Sequence, residues 1–390
     1  MSSVRGAHRL RRAGHQGALA ALVVVLAGPG CVADDPAPNQ QAGSAGQQCV
    51  PTGERSSVGA INDFVESAAG VPEFLGADVG VDVRLGDGRS LWLFGDTLRG
   101  TGADGRFVRN SMLVFHPACV EAVRPAAGGA VVPDRADGVG YWPMSGWRRA
   151  RSTSSADVVD VMLQRVADEH DQGPGIVTLG PTLATFLVPT EGQPRLVGRH
   201  DLGADDPRST VVAWGAASTI AGGWLYLYGT STRRLPGIHG FALRVARVRP
   251  GAVHDMARWR FWDGRTWQPD PGAAAVLLPE EGGVSQTLSV WRQDGRWYVL
   301  SKRDEFLGRE VVVWTGRSPV GPFDRSYVVA DLPCDSATGE LRYMPLAHPD
   351  LLPMRGSVVV SFSRNSTDIA AVCGSPADYR PSFLRVRLPR

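Results

Sequence analysis

The sequence contains one lysine. Every basic residue except Lys302 is arginine, a bias that GC-rich coding explains better than selection for phosphate binding. No strongly basic run occurs after residue 30. Without the four arginines of that leader the count is 37 basic to 39 acidic, a net charge of about −2 that argues against a nucleic-acid partner. Long apolar runs are also missing. The longest, "ALAALVVVLAG" near the start, is too short to cross a bilayer. Extended helical periodicity is scarce, which counts against a helical bundle or an α/β fold. There is no G-x-S-x-G elbow, no P-loop and no dinucleotide glycine pattern, and the 8 histidines are scattered. Serine-hydrolase, nucleotide and metal chemistry therefore have no motif to stand on, and no cofactor or metal is expected.

Residues 1–30 carry no acid, four arginines (Arg5, Arg9, Arg11, Arg12) and then the short apolar run, the build of a secretory signal peptide. An exported, envelope-located chain is the expectation. Cys31 follows "LAGPG", a degenerate lipobox with Gly28 where a leucine-like residue belongs; lipidation at Cys31 and ordinary cleavage nearby both stay open, and a lipid anchor is the one membrane contact expected. Residues 31–48, rich in Pro, Gly, Ala and Gln, read as a flexible tether. Setting Cys31 aside leaves Cys49, Cys119, Cys334 and Cys373, which implies two disulfides in an exported chain. The expected pairing is Cys334 with Cys373 and Cys49 with Cys119.

At 390 residues and 43% hydrophobic, the chain can bury a large core. Short runs of Val, Leu, Trp, Tyr and Phe alternate with Gly, Asp and Pro turns, an all-β signature. Hairpin signals stand at "LGDGRS", "AGG" before Trp224 and "RQDGRW", where Asp-Gly and Gly-Gly accept the positive φ of tight turns. The strands after these turns belong to five related segments: "WLFGDT" from Trp92, "VMLQRV" from Val161, "LYLYGT" from Leu225, "WYVLSK" from Trp297 and "VVSFSR" from Val359. Their starts lie 69, 64, 72 and 62 residues apart. That period, with no helix between, matches radially stacked four-stranded sheets. The small-residue segments "GADVGVDV", "YWPMSGWRR", "VVAWGAAST", "GGVSQTLSV" and "PLAHPDLLP" would be the innermost strands. One five-bladed β-propeller over residues 49–390 is expected, against a β-sandwich or two β domains.

At "GADVGVDVRLGDGRSLWLFGDT", and more weakly at "YWPMSG", "WGAAS…LYLYGT" and "AHPDL…SFSRNS", the sequence resembles the domain-of-unknown-function 4185 family. Part of that family is grouped as glycoside hydrolase family 183, secreted endo-D-arabinanases on a five-bladed propeller. The resemblance covers most of the mature chain and implies hydrolysis of D-arabinofuranose linkages, as in arabinogalactan, by two aspartates of the first blade. These map onto Asp78 and Asp96. His348 resembles a histidine of the family's last blade.

Glycoside hydrolysis needs one carboxyl to protonate the leaving oxygen and a second as nucleophile or water activator. Adjacent strands about 4.8 Å apart place side chains at the right scale. Which aspartate is the nucleophile stays open from sequence, with Asp96 favoured as nucleophile and Asp78 as acid/base, and a buried Asp78 requires a partner such as Arg148 or Arg303. Gly95 leaves room beside the acid for a sugar or a backbone. Trp142 and Trp214 are candidates to stack on a sugar face. His348 and Asp350 are candidates for substrate contact or for tuning an aspartate, and Asn365 for a sugar hydroxyl. Arg165, Thr230 and Lys302, at comparable strand tips, are weaker candidates; Glu280 and Glu281 read as a solvated loop. The expected partner is a polysaccharide, met by a monomer.

Overall fold

Each of the five related segments opens on apolar residues and is buried along most of its length, because both of its faces are covered. In the computed structural model, which describes residues 49–389 apart from 54, 68–70, 72, 101–105, 150–154 and 169–174, these segments form the second strand of each sheet. Five inner hairpins result: β1 (Gly76–Arg84) with β2 (Ser90–Leu98), β3 (Gly140–Arg149) with β4 (Ala156–Asp168), β5 (Ala213–Ala221) with β6 (Trp224–Ser231), β7 (Ser289–Gln293) with β8 (Arg296–Lys302), and β9 (Glu340–His348) with β10 (Ser357–Ser366). Outer strands extend them into sheets of six, four, five, four and three strands. The whole is a five-bladed β-propeller. The expected leader, tether and lipidation at Cys31 lie outside the described residues.

Five apolar clusters fill the five gaps between blades. Leu91, Leu93 and Val114 meet Val159, Val161 and Phe186; Trp147 and Met162 meet Trp214 and Leu227; Tyr228 and Val245 meet Val299 and Trp314; Leu300 and Val313 meet Val358 and Val360; and Val359 and Phe383 meet Trp92 and Phe94. Burial of apolar surface, at roughly 25 cal/mol per Å², is what closes the ring. Polar side chains lining the channel add inter-blade bonds. Ser145 Oγ donates to Gly215 O (2.7 Å), Thr219 Oγ1 to Val290 O, and the Ala347 amide to Ser289 Oγ (2.9 Å). His348 Nδ1 lies 2.6 Å from Asp82 Oδ1 across the seam between the last and first blades.

Among the described residues no strand is exchanged at that seam. Instead α1 (Val58–Ser67) packs over it, and the Asn62 side-chain amide both donates to Phe383 O (2.9 Å) and accepts from its N–H (2.8 Å). The expected Cys49–Cys119 disulfide is present and fastens Val50–Pro51 to the outer edge of blade 1. The other expected pair is not formed: Cys334 is a free thiol, and Cys373 is disulfide-bonded but not to it. Cys334 instead sits among Lys302, Phe306 and the Arg342 backbone.

The hairpin signals translate directly, with Asp294 and Gly295 both at positive φ (49° and 81°). Two inner-strand boundaries differ from expectation. β7 is shorter than "GGVSQTLSV" because the Ser285 amide bonds to Ser301 Oγ (2.7 Å) rather than to a ladder carbonyl. β9 begins ahead of "PLAHPDLLP", at Glu340, with Pro345 accommodated at a bulge between Tyr343 and Leu346. Bulges also interrupt β1, β3 and β5 at corresponding places, and this local re-aiming of side chains positions the candidate site.

Candidate active site

In β1 the register against β2 slips on both sides of Val79, which takes φ of 69°. A β-branched residue in the left-handed region is held there only by its surroundings; here the Val79 amide donates to Ser363 Oγ of the fifth blade at 2.9 Å. The slip turns Asp78 toward Gly95 and Asp96 of β2. A Cβ on Gly95 would lie 2.4 Å from Asp78 Oδ1. The space beside the acid is therefore taken up by the other carboxylate.

Among the described residues Asp78 has no arginine partner, contrary to expectation. Arg148 pairs with Asp157 and Arg303 with Glu310. Asp78 Oδ2 accepts from the Tyr343 hydroxyl at 2.8 Å. The Asp96 N–H also bonds to this carboxylate, while the Tyr379 hydroxyl beside it donates its proton to Asp96 O at 2.9 Å. These neutral donors serve the buried acid, which suffices because burial first, then repulsion from Asp96, push its carboxyl up to about 7.

Asp96 is 4% exposed. It lies within β2 rather than in a turn. Trp142 Nε1 donates to its Oδ1 at 2.6 Å, and Arg109 NH1 stands 3.5 Å from its Oδ2. Burial raises this carboxyl, and Arg109 and the indole partly offset it, leaving it at about 6. Arg109 also bonds to Asp168 Oδ1 at 2.6 Å, so one guanidinium bridges the buried acid and a half-exposed one. Two carboxylates thus share one enclosure with only one facing a cation, an arrangement able to keep one protonated while the other is ionised.

The structure gathers Asp78, Asp96, Trp142 and Asn365 at one end of the inner strands. Asn365 Nδ2 donates to the Tyr343 hydroxyl at 3.2 Å, bracing the tyrosine that holds Asp78. Trp214 is not part of this group. It is 4% exposed and packs on Trp259 and Phe261 between the second and third blades, because the bulge in β5 turns it into the gap. His348 and Asp350 line a cavity of about 220 Å³ further along the channel, with Asp82, Ser145 and Ser218. There His348 stacks on Trp92 (4.8 Å) and bonds Ser361 Oγ through Nε2 at 2.7 Å. It acts as a clasp between blades, and Asp350 is exposed beside it.

Of the weaker candidates, Arg165 is wholly buried, with Nε 2.7 Å from Asp205 and NH1 bonded to Pro181 O. Thr230 bonds Gln286 O. Glu280, expected in a solvated loop, is buried and accepts from the Arg233 amide and Nε (2.9 and 2.6 Å), so it anchors that loop; Glu281 is exposed. Sequence reading missed Tyr343, Tyr379 and Arg109. Tyr343 becomes visible only once the structure places the bulges of β1 and β9, which bring it to the position Asp78 holds in blade 1. Tyr379, in a short 3-10 turn (Pro376–Tyr379), and Arg109, between strands, carry no periodic signal. Among the described residues no three His, Cys, Asp or Glu side chains converge as a metal site.

Comparison with solved structures bears on the fold. The chain superposes on a Bacteroides ovatus ATCC 8483 protein, provisionally designated a hydrolase, with a TM-score of 0.64 at 19% identity, covering 84% of this chain and 89% of that one. Weaker likenesses include an N-acetylgalactosamine deacetylase from F. plautii (TM-score 0.47, 10% identity, 80% and 89% covered). Another is a family 43 β-xylosidase/α-arabinofuranosidase from a compost microbial metagenome (TM-score 0.45, 10% identity, 82% and 93% covered). No curated protein matches the sequence. The family model that does match spans residues 62–388, and by it the chain belongs to the domain-of-unknown-function family DUF5005.

Proposed function

We propose that the protein is a glycoside hydrolase acting on a furanosidic polysaccharide, with Asp78 and Asp96 as its two carboxyls. One observation carries this reading: two acids eighteen positions apart in sequence share one buried site, with carboxyls pushed up to about 7 and about 6. Asp78, without a cation, is the proton donor to the leaving oxygen. Asp96, held toward its ionised form by Arg109, is the nucleophile or the base for water. Trp142 fixes the Asp96 carboxylate and is itself only partly buried. The sequence resemblance to the family 183 endo-D-arabinanases supports arabinan or arabinogalactan as substrate. An exported monomer completes the reading.

The competing reading is a propeller that binds envelope glycan or protein without cleaving it. What favours it is the enclosure of Asp96, both of whose oxygens are engaged. Incubating the purified protein with arabinogalactan and analysing released oligosaccharides decides between them. The hydrolase reading expects oligosaccharide release that falls by at least about a thousandfold in Asp78→Asn and Asp96→Asn with glycan binding retained. No release from the wild type, with binding intact, leaves the non-catalytic reading standing.

A further inference from the structure

Lys302, the single lysine of the chain, ends β8 with no exposed surface. Its amine donates to Arg342 O at 2.5 Å and to Phe306 O at 3.5 Å, and stands 3.6 Å from Cys334 Sγ. Cys334 is the free thiol among the described residues and is half-buried. Its S–H points to Phe306 O (3.2 Å), and the Arg342 amide points at its sulfur (3.4 Å). Glu305, also buried, lies close enough to interact with the amine. Burial pulls the Lys302 amine below the ordinary ammonium range. A guanidinium stays charged and offers no nucleophilic lone pair, whereas a desolvated lysine releases a neutral amine. In a chain that uses arginine everywhere else, the one lysine is packed against a free sulfur.

We propose that Lys302 and Cys334 are a modification site that joins covalently under peroxide, forming a sulfenamide. In the first step the O–O bond of hydrogen peroxide breaks, one oxygen passes to the Cys334 sulfur, which is oxidised by two electrons, and the other leaves as water. In the second step the neutral amine attacks that sulfur and the S–O bond breaks. The hydroxyl departs with an amine proton as a second water, and no further oxidant is consumed. Condensation of a sulfenic acid with a nearby nitrogen is established cysteine chemistry, and thiols reverse it. The new S–N bond ties the end of β8 in blade 4 to the segment that leads into β9 in blade 5. It also draws the amine off Arg342 O, one residue from the tyrosine that holds Asp78.

The test treats the full folded chain, its disulfides intact, with hydrogen peroxide and maps its peptides. The expected product is a linked peptide joining Lys302 to Cys334, about 2 Da lighter than its two parts, with no tryptic cleavage after Lys302, and lost on thiol treatment. Cys334→Ser abolishes it, and Lys302→Arg accumulates a sulfenic acid that dimedone traps. If Lys302→Arg does not fold, the wild-type time course still decides, because loss of amine labelling at Lys302 must match the decay of the sulfenic acid. Conversion of Cys334 to sulfinic or sulfonic acid with Lys302 still cleavable overturns the proposal. So does equal linkage in protein unfolded before oxidation.

Discussion

Tyr343 of the fifth blade donates its hydroxyl to Asp78 of the first at 2.8 Å, across the seam where the ring closes. The two residues are 265 positions apart in sequence and occupy corresponding places on their inner strands. Whatever chemistry Asp78 performs is therefore set by how the last blade docks on the first.

Replacing Tyr343 by Phe removes a donor that favours the ionised carboxylate and so moves the Asp78 carboxyl above its value of about 7. An acid that must be protonated to act loses activity as pH rises through this value. The variant should therefore keep the Phe306 contact and shift the alkaline limb of its kcat/KM profile upward by about half to one pH unit. A downward shift, or none, removes Asp78 from the proton-donor role.

The raised carboxyl also has a stability signature. Because the folded-state value of about 7 lies above the ordinary 3.8, the stability linked to Asp78 is fully present below about pH 4 and is lost as pH rises through about 7. Asp78→Asn never ionises. The melting temperature of the variant relative to wild type should rise from about pH 4 to about pH 7 and level off above it, and a constant difference between about pH 4 and about pH 7 contradicts an acid buried without a cation.

His348 bonds Asp82 and Ser361 and stacks on Trp92 with 1% of its surface exposed, so its removal acts on the fold. His348→Ala should lower stability by about 2–4 kcal/mol through lost hydrogen bonds and a cavity while leaving KM for glycan within about twofold. Unchanged thermal melting with a tenfold higher KM restores the substrate contact that sequence reading assigned to this residue.

The repeat was legible because burial on both faces imposes itself on composition. "WLFGDT", "LYLYGT" and "WYVLSK" each open on a run of apolar or aromatic residues since each lies between two blades, and a regular interval then marks each blade. The turns were legible because Asp294-Gly295 accepts backbone angles that most residues resist. Tryptophans were harder. Trp142 and Trp214 occupy similar places in similar inner strands, yet a bulge aims one at Asp96 and packs the other on Trp259, and a bulge leaves little trace in local sequence. The pairing of Cys334 was misread for the same reason, since proximity of cysteines depends on where loops land and not on spacing.

Sequence by itself determined that this chain builds five similar sheets and that Asp78 and Asp96 sit on one hairpin, because strand periodicity and turn chemistry act over a few residues. Tertiary structure alone decided the partners. Tyr343, Tyr379 and Arg109 reach the two acids from different parts of the chain, and only ring closure brings them within bonding distance. Ring closure is driven by apolar surface, which is indifferent to which polar atoms it carries together.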